Sequence, residues 1–180
     1  MIRCYVTDRR TCPGDLLDNI ERVAAQGVDM IQIREKDVEA RDLLELTTAA
    51  VARVTGTQCK IIVNGRADVA IAAHAHGIHL PSDSIPPGEW KKVWPKMLVG
   101  VSCHSLKEVD IALGADYVFF SPVFETPEKG TPVGLAKLAE AAERSSVPVL
   151  ALGGVTWENA EQCLRTGAAG IAAIRLFQQG

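Results

Sequence analysis

Gln32, Arg34 and Lys36 recur at every second position of the tract Gln32-Ile33-Arg34-Glu35-Lys36. On an extended strand successive side chains face opposite ways, so these three share one face while Ile31 and Ile33 share the other. An amide and two cations aimed at one point suit an anion with several oxygens, above all a phosphate or diphosphate. The competing use is structural, with Arg34 paired to Glu35 or to an acid of another strand.

Further along, Asn64-Gly65-Arg66 supplies an amide, a turn glycine and a cation. Ser102-Cys103-His104 puts a hydroxyl and an imidazole on one face, with a thiol between them. The tract Phe124-Glu125-Thr126-Pro127-Glu128-Lys129-Gly130-Thr131 is polar and long enough to fold over a site, with Lys129 as its mobile cation. Leu152-Gly153-Gly154-Val155 runs into Thr156, which begins a helical stretch. Glycines allow close backbone approach and a helix start offers free N–H groups, so this end reads as an anion site. His74, His76 and His79 fall at a helix end and a strand start and do not converge, so no metal site is assigned to them.

These groups need elements that bring them to one place. Short apolar, β-branched runs at residues 2–7, 29–36, 60–64, 77–80, 97–104, 115–123, 147–153 and 170–177 read as eight strands. Most are apolar throughout, as parallel strands covered by helices must be. Amphipathic stretches separate them. Leu16, Leu17, Ile20, Val23 and Ala24 share one helical face; Leu43, Leu44, Val51 and Val54, then Val109, Ala112 and Leu113, then Ala160, Cys163 and Leu164 do the same later. Gly27, Gly114 and Gly167 sit just past three of these stretches, where a left-handed residue closes a helix.

Eight such repeats predict a compact α/β TIM (β/α)8 barrel, one domain over residues 1–180, with its working residues at the C-terminal strand ends. An open doubly wound sheet competes, but no G-x-G-x-x-G turn follows the first strand. Only Gln178-Gln179-Gly180 follows the last strand, so the eighth helix is expected to be missing, and the fourth to be short, at residues 88–94. A missing outer helix would bare the groove between strands eight and one, which predicts a homo-oligomer covering it.

Composition narrows the partners. With 19 Lys and Arg against 22 Asp and Glu the net charge is −3, and no basic cluster marks a nucleic-acid surface. No apolar run is long enough for a membrane span, and the start of the chain reads as a strand rather than a signal peptide. The five cysteines show no C-x-x-C spacing, which argues against a disulfide framework or a zinc site and for the reducing cytoplasm. Cys103, between Ser102 and His104, is the thiol best placed for chemistry.

Taken in order, Gln32-Ile33-Arg34-Glu35-Lys36, Asn64-Gly65-Arg66, Gly77-Ile78-His79-Leu80, Gly100-Val101-Ser102-Cys103-His104, Ala115-Asp116-Tyr117-Val118, Pro122-Val123-Phe124-Glu125-Thr126 and Gly153-Gly154-Val155 resemble the thiamine phosphate synthase/TenI family. The resemblance covers essentially the whole chain. It implies a barrel of thiamine biosynthesis. Its synthase branch joins an aminopyrimidine methyl diphosphate to thiazole phosphate with Mg²⁺, releasing pyrophosphate; its TenI branch includes thiazole phosphate tautomerases.

The resemblance further implies that Gln32, Arg34, Lys36 and Asn64 hold the pyrimidine diphosphate. Lys129 matches the loop lysine on its phosphate, Gly153 and Gly154 match the thiazole phosphate site, and Ser102 and His104 form the strand-five pair; Arg66 and Thr126 are further candidate substrate-binding residues. The departures are specific. Synthases carry aspartates, the expected Mg²⁺ ligands, where this chain has Gly65 and Ser84, although Asp83 is adjacent; this puts Mg²⁺ in doubt. The tautomerase histidine is replaced by Pro122. Arg175 stands where the family usually has a serine beside the thiazole phosphate. The leading expectation is a synthase-like transferase acting on phosphorylated pyrimidine and thiazole. The alternatives are a non-catalytic or regulatory binder of thiazole or thiamine phosphate, and a tautomerase using His104 or Cys103 as base.

Overall fold

The β-branched runs form strands and the amphipathic stretches form helices in strict alternation. The computed structural model describes residues 1–127 and 130–179. Its strands are β1 (Ile2–Val6), β2 (Met30–Ile33), β3 (Lys60–Asn64), β4 (Gly77–Leu80), β5 (Leu98–Cys103), β6 (Tyr117–Phe120), β7 (Val149–Leu152) and β8 (Gly170–Ala173). They close in chain order into a parallel barrel. The helices are α1 (Leu16–Ala25), α2 (Ala40–Arg53), α3 (Ala67–Ala72), α4 (Pro87–Val93), α5 (Leu106–Ile111), α6 (Gly134–Arg144) and α7 (Trp157–Arg165). Among the described residues no eighth α-helix follows β8, only a 3₁₀ turn at Arg175–Phe177. No helix among them is long and apolar enough to cross a membrane.

Contacts group the chain into two compact units. One comprises Arg3–His79 and Ile174–Gly180. Its core is built on Tyr5, Ile20, Ile31, Ile33, Ile61, Ile62 and Ile78, all essentially inaccessible. Register pairs Tyr5 with Ile31, Ile31 with Ile61 and Val63 with Ile78. The buried stripe of α1 is Leu16, Ile20, Val23 and Ala24, as its period predicts, with Asn19 added. On α2 it is Leu43, Thr47 and Ala50, so Leu44 and Val51 lie at its margin.

The other unit comprises Met1–Ile2 and Leu80–Ala173. Phe119, Phe120, Leu138, Leu150 and Ile171 form its centre. Val109 and Ala112 of the fifth helical stretch are buried as expected, but Leu113 is 70% exposed. The cause is backbone crowding. Gly114 is left-handed, and a Cβ there would come within 2.9 Å of Gly88 Cα, so the chain turns sharply and carries Leu113 outward.

Three strands end well short of their predicted limits: β2 at Ile33, β6 at Phe120 and β8 at Ala173. After Ile33 the ladder passes to a side chain: Thr7 N–H donates to Gln32 O at 2.9 Å, but Arg34 N–H donates to Thr7 Oγ1, also at 2.9 Å. After Ala173, Ile174 adopts φ −94° and ψ −73°, so Arg175 lies on the 3₁₀ turn and not on a strand. β8 is buried throughout, and on the turn Leu176 and Phe177 are buried. Asn19 Nδ2 and Arg22 Nη2 of α1 donate to Phe177 O, and Gln178 Nε2 donates to Tyr5 Oη and Asp8 O.

Candidate active site

In the first unit the end of β2 is organised around a buried carboxylate. Glu35 is 4% exposed. Its Oε1 accepts from Thr7 Oγ1 at 2.6 Å and from Arg9 N–H at 3.1 Å, and its Oε2 from the Arg9 guanidinium at 3.2 Å. Arg9 also forks onto Asp37, at 2.7 and 2.8 Å. Glu35 is therefore the partner of Arg9, not of Arg34. Among the described residues Arg34 forms no ion pair, and it is half-buried.

Gln32, on the same face of β2, is 2% exposed, and its Nε2 finds no hydrogen-bond partner. A buried donor left unpaired costs about 1–3 kcal/mol, so the position suits a ligand that brings an acceptor. Lys36 is exposed and Asn64 half-buried at the end of β3. Arg66 forks onto Asp68 at 2.9 and 2.6 Å, which holds the Asp68 carboxyl at about 2 and occupies this predicted cation. Arg175 is exposed on its 3₁₀ turn.

His79 pairs in register with Asn64 and is 1% exposed. Burial, reinforced by the charge of Arg34, pushes its pKa down to about 3. It is neutral in the folded protein at pH 5, whereas an exposed histidine (pKa about 6.5) is mostly charged. The unfolded chain therefore binds the extra proton, and stability falls as pH drops below about 6.5. Between pH 7 and pH 5 this one group is expected to remove about 2 kcal/mol. Urea unfolding of wild type and His79→Gln at both pH values checks it; equal losses in the two proteins would exclude His79 as the source. His76 has a structural task instead, its Nδ1 accepting from Ile61 N–H at 3.0 Å, and His74 sits exposed at φ 53°.

In the second unit Ser102 is half-buried and His104 exposed at the end of β5. His104 Nδ1 lies 2.9 Å from Ser121 O and 3.3 Å from Ser121 Oγ. A carbonyl oxygen only accepts, so Nδ1 is the donor in this contact. The His104 main-chain N–H donates to the Glu108 carboxylate. Cys103 is inaccessible, and burial, followed by the charge of Glu108, pushes its thiol up to about 12. Such a thiol is neither nucleophile nor base at neutral pH, which corrects its standing as the thiol best placed for chemistry.

Beyond β6, whose following Ser121–Pro122 peptide is cis, the chain folds against the end of β7. Val123 N–H donates to Leu152 O at 2.9 Å and Phe124 N–H to Gly153 O at 3.0 Å. This approach is what the glycine pair permits. A Cβ on Gly153 would meet Pro122 Cα at 2.7 Å, and one on Gly154 would meet Glu125 O at 2.6 Å. The start of α7 differs from expectation. Thr156 and Asn159 form a capping box, with Thr156 N–H donating to Asn159 Oδ1 at 2.8 Å. The helix thus satisfies part of its own N-terminal donor set rather than offering all of it to an anion.

The loop after β6 bounds an open cleft of about 670 Å³ lined by Glu125, Thr126, Pro127, Gly130, Thr131 and Pro132. Thr126 Oγ1 donates to Phe124 O at 3.2 Å. Lys129, the loop cation expected at a phosphate, lies outside the described residues. At the two positions where metal ligands would stand, Gly65 has no side chain and is left-handed at φ 68°, and Ser84 is half-buried beside an exposed Asp83. Among the described residues no three His, Cys, Asp or Glu side chains group closely enough to hold an ion.

Residues 3–177 match the family described as thiamine monophosphate synthase. The chain belongs to the thiamine monophosphate synthase family. A protein of Aquifex aeolicus is 40% identical over 176 residues, covering 96% of this chain and 95% of its own. The thiamine-phosphate synthase of Methanoculleus marisnigri is 40% identical over 176 residues, covering 94% of this chain and 83% of its own. Among solved structures, thiamine phosphate pyrophosphorylase from Pyrococcus furiosus superposes with a TM-score of 0.89 at 30% identity, over 99% of this chain and 88% of that one. Membership places the chain in thiamine biosynthesis, in a family of transferases.

Sequence reasoning missed Thr7, Ser121 and Gln178, and considered Glu35 only as a partner of Arg34. All four are polar and at most 4% exposed. Polar residues at strand ends are the available signal, but their partners lie as far as 173 residues away in the chain, as for Gln178 and Tyr5.

Proposed function

We propose that the chain forms thiamine phosphate from an aminopyrimidine methyl diphosphate and thiazole phosphate, releasing pyrophosphate. The single observation that carries this is the end of β2, where the unpaired Gln32 Nε2 accompanies an Arg34 that forms no ion pair among the described residues. As the C–O bond to the diphosphate breaks, negative charge gathers on the leaving group while a C–N bond forms to the thiazole. Arg34 and Lys36, with Gln32 and Asn64 orienting the group, stabilise that charge. Lys129 and Thr126 serve a substrate phosphate, with Arg175 as a supporting cation. Gly153 and Gly154 serve the thiazole phosphate, and Ser102 and His104 complete the set. The five unpaired cysteines suit a cytoplasmic setting.

Mg²⁺ takes oxygen ligands, usually one or two carboxylates with water and substrate phosphate. Gly65 offers none and Ser84 only a hydroxyl, so the donors present do not fit the usual ion, and no step is assigned to it. A Cβ on Gly65 meets nothing within 4 Å, and aspartate tolerates left-handed backbone. Gly65→Asp is therefore expected to fold normally and to raise Mg²⁺-dependent kcat/KM at least about tenfold, the equivalent of 1.4 kcal/mol. Titrating Mg²⁺ against both proteins checks this; an unchanged dependence would mean that position 65 lies off the ion's path.

The overall reading is tested by incubating both substrates with folded protein and Mg²⁺ and following thiamine phosphate. Formation above background supports it. The missing carboxylates favour a second reading, a binder of thiazole or thiamine phosphate, which calorimetry distinguishes by binding without turnover. A tautomerase would have to use His104, since Cys103 is buried and protonated.

A further inference from the structure

The end of β2 is tied down by a buried hydroxyl. Thr7 is fully buried just beyond β1, and its Oγ1 works in both directions. It accepts from Arg34 N–H at 2.9 Å and donates to Glu35 Oε1 at 2.6 Å. Glu35 is held in turn by Arg9, through a main-chain N–H at 3.1 Å and the guanidinium at 3.2 Å. Asp37 takes the remaining arms of that guanidinium. These bonds occur where the regular β1–β2 ladder stops, at the pair Val6 and Gln32.

The charges are also arranged to leave one cation unspent. Glu35 and Asp37 both engage Arg9, so the acid adjacent to Arg34 in sequence is turned away from it. A buried carboxylate with several charge-assisted bonds is well determined in position and costly to leave half-satisfied.

We propose that Thr7 and Glu35 are positioning residues: they fix the main chain of Arg34, and so the aim of its guanidinium at the substrate diphosphate. This rests on the reading of Gln32 and Arg34 as the diphosphate site. A misplacement of about 1 Å in such a group costs about 100-fold, so a lost main-chain anchor has a large effect at a distance.

The test compares Thr7→Val, which keeps the volume and removes both hydrogen bonds, with Thr7→Ser, which keeps the hydroxyl. Calorimetry with inorganic pyrophosphate as the probe, at fixed Mg²⁺, is run alongside thermal melting. Thr7→Val is expected to weaken binding at least tenfold, with Thr7→Ser within about twofold of wild type. Equal binding by wild type and a folded Thr7→Val overturns the inference and leaves the diphosphate site standing. Absence of pyrophosphate binding by wild type overturns the site itself. If Thr7→Val does not fold, Arg9→Met decides. It alters an exposed side chain, removes the outer support of Glu35 together with the Asp37 pair, and is expected to weaken binding about threefold; unchanged binding overturns the inference.

Discussion

Gly153→Ala is expected to lower the melting temperature by about 10 °C. The residue sits at φ 95°, where an L side chain costs about 1–2 kcal/mol. A new Cβ would lie 2.7 Å from Pro122 Cα and 2.8 Å from Pro122 Cβ, and neither atom can swing aside. Overpacking of this kind adds about 1–3 kcal/mol, for a total near 3 kcal/mol. In a chain of 180 residues each kcal/mol moves the midpoint by about 2–4 °C. Gly14→Ala separates the two causes, since that glycine has φ 85° but open space around its Cβ. It should lose only the conformational part, about 1–2 kcal/mol. Melting curves showing equal losses for both variants would dispose of the close-approach argument.

Arg34→Met is expected to cut kcat/KM for the diphosphate substrate by about 100-fold. Unit charges about 4 Å apart at an effective dielectric of about 20 attract by roughly 4 kcal/mol. Lys36 and solvent recover part of that loss, and about 2.7 kcal/mol remaining corresponds to the stated factor. Stability should change little, because the apolar stem is retained and no described ion pair is broken. Steady-state kinetics with each substrate varied in turn is the check. A normal rate in this variant would show that the cation does not serve the leaving group, whatever the family resemblance implies. A rise confined to the KM for thiazole phosphate would place Arg34 at the wrong substrate.

Much of this protein follows from patterns within a few residues. Eight apolar runs, separated by helical stripes and by left-handed glycines at positions 27, 114 and 167, specify parallel βα units. Strict alternation along β2 puts Gln32 on one face and Ile31 and Ile33 on the other, because a strand has only two faces. The short fourth helix, Pro87–Val93, was likewise legible.

What lay beyond the sequence depends on partners distant along the chain. Nothing near Arg34 says that Glu35 belongs to Arg9 rather than to it, or that Arg66 is taken by Asp68. The end of β2 is set by Thr7, 27 residues earlier, because a buried hydroxyl must find both an acceptor and a donor. Cys103 looks reactive between Ser102 and His104, yet it is inaccessible, and a thiolate loses its hydration there. The last strand also stops short, since turning at Ile174 lets the Phe177 carbonyl reach Asn19 and Arg22. The sequence by itself determined the repeat, the strand faces and the family, which rest on periodicity and residue type. Only the tertiary structure decided which charges are spent on one another and which remain for a ligand, because pairing depends on distance through space.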